Sequence, residues 1–187
     1  MPRISSFFSA SLDGFFADEK DDVSWTHDSS GDPEWSAFVS GNASGDGQLL
    51  MGRKTYEMMR SYWPTPAAKA AMPVVAEGMN RMPKHVASRT LTEATWNNTH
   101  LISGDLLAAV RRLKAAPGPD IATLGSGSIV SQLAQAGLVD EFQVVTIPIL
   151  LGNGRHMFGD IPAPLRLRTV RSRAFTNGHV VTWYAPA

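Results

Sequence analysis

The sequence predicts an α/β fold: a mostly parallel central sheet flanked by helices, with an antiparallel hairpin at its C-terminal edge. Three observations predict it. Apolar runs of strand length, such as Leu49-Leu50-Met51 and Ile121-Ala122-Thr123-Leu124, alternate with segments of helical periodicity. Glycine punctuates the strand-to-helix junctions, at Gly52 and again at Gly125 and Gly127. Near the end, Asn177-Gly178 sits between two apolar runs, a strong short-range signal for a hairpin.

Taken in order, Ile4 to Leu12 reads as a strand that stops at the turn pair Asp13-Gly14. Residues 18–32 are polar and acidic and read as a loop. Pro33 opens a short helix carrying Trp35, Phe38 and Val39 on one face. Gln48–Gly52 is a buried strand, and a helix follows from Lys54 to Tyr62, stopped by Trp63-Pro64. The prolines and small residues of 64–82 read as an irregular excursion. His85–Ser88 and His100–Ser103 are short strands, with Ser103 as cap of a helix that places Leu106, Val110 and Leu113 on one face and ends at Pro117-Gly118. Ile121–Leu124 is a strand, Gly125–Ser128 a tight turn, and Ile129–Ala136 a helix closed by Gly137. Glu141–Leu151 is a long strand, and Leu165–Phe175 with His179–Tyr184 form the hairpin. A chain of 187 residues organised in this way fits one domain spanning 1–187.

Composition narrows the function. Seventeen basic residues balance seventeen acidic ones, so no sequence-wide field draws the chain to nucleic acid or to an anionic membrane. There is no cysteine, which excludes disulfides, thiolate metal sites and a cysteine nucleophile. The five histidines are scattered without an i, i+4 pair, so no metal site is expected. No G-x-S-x-G elbow supports serine hydrolysis. No apolar run reaches the length of a membrane span, and the N-terminal patch lacks the form of a signal peptide; the cytosol is the expected compartment.

Two junctions carry candidate chemistry. At Gly52-Arg53-Lys54-Thr55 a helix begins, its first N–H groups lack intrahelical partners, and two cations stand beside them. The stretch reads equally as a phosphate site or as a tight turn with solvated basic residues. Gly125-Ser126-Gly127-Ser128 lies at a second junction. Taken alone it reads first as a structural turn, since Val130 stands where a dinucleotide fingerprint would carry its last glycine. Both turns in one open sheet say more, because ligands bind such sheets at the carboxyl ends of the strands. A dinucleotide would use both, and Ser88-Arg89-Thr90, after a third strand, would hold an extra phosphate. Gly152-Asn153-Gly154 reads as a loop that needs positive φ. Trp25 and Trp63, in loops near the expected site, are packing residues or ring-stacking platforms.

Five blocks in order carry a resemblance: Ser11–Ala17, Leu50–Glu57, Lys84–Leu91, Leu124–Ser128 with Gly137–Glu141, and Pro148–Gly154. Together they resemble the dihydrofolate reductase-like superfamily, and more narrowly the reductase domain at the C-terminus of the riboflavin-biosynthesis deaminase–reductase. The resemblance implies a dihydrofolate reductase-like fold and an NADPH-dependent reductase acting on a small pterin-like or pyrimidine-like molecule. It implies that Gly52, Arg53, Lys54 and Thr55 meet the cofactor phosphates. Ser88 and Arg89 would hold the 2′-phosphate, and Gly125, Ser126, Gly127, Ser128 and Ile129 the pyrophosphate. Ala10, Asp13 and Gly14 would border nicotinamide and substrate, with Trp25 nearby. Asp13, or an ordered water, becomes the candidate proton route; an Asp-Gly pair is also an ordinary turn. One departure stands out. Where dihydrofolate reductases proper carry a pterin-binding carboxylate, this sequence has Ser36, with Asp32 and Glu34 close by. The alternatives are thus a true dihydrofolate reductase and an NADP(H)-binding module without turnover. A homodimer is expected from the apolar hairpin and from the resembled families.

Overall fold

The computed structural model of the protein describes residues 1–27, 32–159 and 161–187. Its strands are β1 (Ile4–Ser11), β2 (Phe15–Ala17), β3 (Gln48–Gly52), β4 (Lys84–Ala87), β5 (Thr99–Ile102), β6 (Ile121–Leu124), β7 (Glu141–Ile147), β8 (Arg155–His156), β9 (Leu167–Ala174) and β10 (Val180–Pro186). Its helices are α1 (Pro33–Ser44), α2 (Arg53–Tyr62), α3 (Pro66–Ala71), α4 (Pro73–Arg81), α5 (Leu106–Ala115) and α6 (Gly127–Gln135). Eight strands form one sheet in the order β5-β4-β3-β6-β1-β7-β10-β9, and β2 pairs with β8 in a small second sheet. From β5 to β7 every pairing is parallel; β10 and β9 are antiparallel additions at one edge. This is the expected dihydrofolate reductase-like α/β architecture.

Alternation along each strand divides the core. Leu50, Ile4, Phe8 and Ile121 face Val130 and Leu133 of α6 in one cluster. Leu49, Met51 and Val86 face the other way, against Tyr56 of α2 and Val75 and Met79 of α4. Beneath α1, Trp35 meets Val145, Ile147, Phe175, Val181 and Trp183. Each such fully buried aliphatic or aromatic side chain contributes about 1.5–3 kcal/mol relative to exposure. Gly78 lets α4 touch α1 at backbone distance, for a Cβ there would lie 1.9 Å from the Ala43 carbonyl oxygen.

Several expectations need correction. Residues 66–81 are not irregular: they form α3 and α4, each started by a proline, because the missing N–H of proline costs nothing in a first turn. The cap of α5 is Asp105, whose carboxylate accepts from the Ala108 N–H at 3.0 Å, not Ser103. Strand β7 ends at Ile147, since Pro148 has no N–H for the ladder. Of the loop expected over 18–32, residues 28–31 lie outside the described residues, and Ser24–His27 form one 3-10 turn. The pairing of β2 with β8 has no counterpart in the sequence reading.

Two buried polar groups lock distant elements. Asp32 caps α1 through the Glu34 and Trp35 N–H groups at 2.8 and 3.1 Å. Its other oxygen accepts from Thr176 Oγ1 at 2.8 Å and the Asn177 N–H at 3.0 Å, pinning α1 to the turn between β9 and β10. Burial would raise its carboxyl, but these four donors outweigh that and hold it below the usual range. Lys84 is fully buried in β4 and donates from Nζ to the carbonyls of Asn80, Met82 and Asn97 at 3.2, 2.8 and 3.1 Å, with its ammonium over the Trp96 ring.

Candidate functional site

Strands β3, β4 and β6 run parallel, so their carboxyl ends open on the same side of the sheet. There a cleft of about 1090 Å³ forms, slightly above the ~300–1,000 Å³ usual for small-molecule sites. Its wall is built from Gly52–Thr55 after β3, Ala87–Arg89 after β4, Gly104–Leu106 before α5, and Ser126–Ile129 at the start of α6. Phe16 and Arg155–Met157 close the remaining side.

The two glycine junctions are joined to one another. Ser126 Oγ accepts from the Gly52 N–H at 2.7 Å and lies 2.9 Å from Thr55 Oγ1. This close approach requires glycine at 52, where a Cβ would stand 2.8 Å from Ser126 Oγ. At Gly127 a Cβ would meet the Met157 carbonyl oxygen at 2.1 Å. Gly125 and Ser126 both take the left-handed conformation, with φ of +56° and +59°. Neither α2 nor α6 has a side-chain cap, whereas Asp32, Thr65 and Asp105 cap α1, α3 and α5. The first-turn N–H groups of α2, and those of Gly127 and Ser128 in α6, therefore remain as donors toward an anion in the cleft, while the Ile129 N–H is bonded to the Ser126 carbonyl at 2.8 Å.

Cations surround these donors. Arg53 is paired with Glu57 at 3.0 Å. Among the described residues no carboxylate pairs with Arg89, which projects into the cleft beside Ser88. Ser88 Oγ accepts from the Thr90 and Leu91 N–H groups at 3.2 and 2.9 Å, which leaves its own hydroxyl hydrogen to donate. Arg155 stacks over the Phe16 ring and binds Asp21, and the Arg155 guanidinium, together with Lys54, holds the Asp21 carboxyl below the usual carboxylate range.

The candidate residues thus fall into two groups. Gly52, Arg53, Lys54, Thr55, Ser88, Arg89, Ser126, Gly127, Ser128 and Ile129 all line the one cleft. Gly125 is not in its lining, and a Cβ there would lie 3.2 Å from the Phe16 ring. Gly14 lines an adjoining apolar cavity of about 440 Å³, which shares His156 and Met157 with the cleft. Ala10, Asp13, Trp25 and Glu34 line neither cavity. The Asp13 carboxylate receives the Ser11 hydroxyl at 2.6 Å, the Gly152 N–H at 2.8 Å and the Leu151 N–H at 3.1 Å, and these donors, the Ser11 hydroxyl foremost, keep it below the ordinary carboxyl range. Trp25 packs against the cluster beneath α1 and donates to the Asp22 carbonyl at 3.2 Å. Trp63 packs with the α2–α4 cluster and bonds Met59. Glu34 is exposed and faces Arg173 at 3.5 Å.

Sequence reasoning missed Phe16, Asp21, Arg155, His156 and Met157. The available signal was Gly152-Asn153-Gly154, read as a loop. Gly154 is required by the β2–β8 pairing, because a Cβ there would lie 2.3 Å from the Ala17 carbonyl oxygen.

Residues 2–181 match the family model described as the RibD C-terminal domain. The uncharacterised Bacillus subtilis protein YyaP is 29% identical over 184 residues, covering 97% of this chain and 94% of that protein. A solved structure from Shewanella sp. PV-4, described as a riboflavin biosynthesis protein, superposes with a TM-score of 0.74 at 26% identity, covering 100% of this chain and 99% of that one. Dihydrofolate reductase from Enterococcus faecalis, solved with NADP(H), gives a TM-score of 0.66 at 14% identity over 98% and 96% of the two chains, a likeness of fold.

Proposed function

The chain belongs to the RibD C-terminal domain family, and from that premise we propose that it is a cytosolic NADPH-dependent reductase of a small pyrimidine-like or pterin-like ring. The observation that carries this reading is the single cleft in which Gly52–Thr55, Ser88–Arg89 and Ser126–Ile129 converge.

The residues fit the cofactor. The uncapped starts of α2 and α6 offer main-chain donors, and glycines at 52 and 127 keep side chains out of the close approach between the two turns and the Met157 segment. Gly52–Thr55 and Ser126–Ile129 would hold the pyrophosphate between them. Ser88 and Arg89 supply a hydroxyl donor and a cation that no carboxylate among the described residues pairs with, for a 2′-phosphate. When bound, the nicotinamide supplies a hydride to a C=N or C=O carbon of the substrate. Phe16 and Met157 contribute apolar surface to the lining of the cleft. Asp13, ionised at neutral pH and engaged by three groups, holds the Leu151–Gly152 turn, and the proton for the reduced product comes from water. All four lone-pair directions of Asp32 are filled within the protein, so it offers no free acceptor to a pterin ring. That favours a ring bound by other means than in a true dihydrofolate reductase.

Oxidation of NADPH at 340 nm, followed across pyrimidine and pterin substrates, tests the reading. Turnover of a ring substrate supports it. Tight NADPH binding without turnover of any of them would make the protein a binding module, and methotrexate-sensitive turnover of dihydrofolate would make it a folate reductase.

The same reading includes a homodimer. Strand β9 is an open edge, with Leu167 and Val170 exposed along it and Leu165 exposed just before it. Light scattering at micromolar concentration should give twice the 20.2 kDa chain mass; a monomeric mass overturns this.

A further inference from the structure

At the wall of the cleft, Lys54 and Arg155 share one counter-ion, Asp21. Asp21 leaves β2 in a tight turn, its N–H bonded to the Asp18 carbonyl at 3.1 Å and its φ at +65°, a left-handed conformation rare for a residue with a side chain. The turn points its carboxylate at two cations of the cleft wall that come from different elements. Arg155, on β8, donates from Nε to Asp21 Oδ1 at 2.7 Å while its guanidinium lies over the Phe16 ring. Lys54, in the first turn of α2, brings Nζ to 3.6 Å from Asp21 Oδ2, and its side chain is 82% exposed. Asp21 does not itself line the cleft, whereas both of its partners do.

The two contacts differ in kind. Arg155 is fixed by a charge-assisted hydrogen bond on one side and a ring face on the other. Lys54 is an ammonium at the limit of ion-pair distance on a flexible stem, so an anion arriving at the start of α2 competes for it on good terms. We propose that Asp21 is the counter-ion that sets the affinity and salt sensitivity of this cleft: it occupies Lys54 while the cleft is empty, yields it to a phosphoanhydride ligand, and keeps Arg155 aligned throughout. The idea rests on the cofactor reading only in identifying that phosphoanhydride as part of NADPH.

The test uses the full chain and inorganic pyrophosphate as probe, with NADPH alongside. Asp21→Asn removes the charge while preserving the shape of the turn, since asparagine tolerates the left-handed region. Pyrophosphate should bind this variant roughly 3- to 10-fold more tightly at low ionic strength by calorimetry, a shift of about 0.7–1.4 kcal/mol. The advantage should vanish near ~0.5 M salt, where the screening length falls to a few ångströms. Glu77→Gln, the same charge change on α4 beside Arg81, should leave the affinity unaltered. An Asp21→Asn variant that binds pyrophosphate no better than wild type overturns the proposal, and so does equal tightening by Glu77→Gln. If wild type binds pyrophosphate but not NADPH, the cofactor reading fails while the counter-ion role is still decided by the pyrophosphate comparison.

Discussion

Ser126 Oγ accepts the Gly52 N–H at 2.7 Å, across 74 residues of sequence, and so ties the turn after β6 to the turn after β3. One hydroxyl thereby ties together the two uncapped helix starts in the wall of the cleft. Ser126→Ala removes that acceptor and the contact with Thr55, and it places alanine in a left-handed conformation. The expected outcome is a loss of about 1–2 kcal/mol in stability and a clear weakening of NADPH binding, measured by thermal melting and fluorescence titration. Unchanged affinity in a folded variant would dissociate the two turns from cofactor binding.

On the proposed reading, Arg89 is expected to govern the choice between cofactors. Wild type should bind NADPH at least ~10-fold tighter than NADH, about 1.4 kcal/mol. Arg89→Ala should abolish most of that ratio by weakening NADPH alone. Equal dissociation constants for the two cofactors in wild type would remove the argument.

Asp13 is expected to act through the Leu151–Gly152 turn. Its carboxyl is depressed in the folded protein, so the stability it contributes is present above the normal carboxylate range and is lost as pH falls through the lower folded value. Asp13→Asn should therefore lower the melting temperature at neutral pH and make stability less sensitive to acid, with kcat/KM within about tenfold of wild type. A loss of ~100-fold in kcat/KM at an unchanged melting temperature would instead restore Asp13 as the proton relay.

Lys84 gives the same slope in a higher pH window, as relief of a penalty rather than gain of a stabilising contact. Burial lowers its folded pKa from 10.5 to about 8. Between those two values the unfolded chain holds the proton and the folded chain does not, so stability rises with pH across that window. Wild type should gain on Lys84→Met from about pH 8 to pH 10.5 in denaturant titrations; parallel pH profiles would show that Lys84 keeps its charge in place.

The architecture was legible because periodicity and glycine punctuation are local. Leu49-Leu50-Met51, the Gly52 and Gly125–Gly127 junctions and the Asn177-Gly178 turn each report their element within a few residues. Pro66 and Pro73 misled for the same reason: a proline that breaks a helix and one that starts it look alike until the next turn is seen. The cleft's far wall was not legible. Arg155 and His156 gain their places by pairing with Phe15–Ala17, some 140 residues earlier, and no local pattern marks a two-residue strand. Asp13 and Asp32 carry the other lesson, because a carboxylate in a turn announces neither which distant N–H groups it will receive nor how many.

Strand order also bears on the chain's birth. β1 is made first, yet its hydrogen-bonded neighbours are β6 and β7, beginning at residues 121 and 141. Ile4 and Phe8 therefore lack both strand neighbours until more than a hundred further residues have been synthesised. At ~5–20 residues per second that delay is on the order of ten seconds, during which the apolar face of a nascent strand stands without the partners it will have in the sheet.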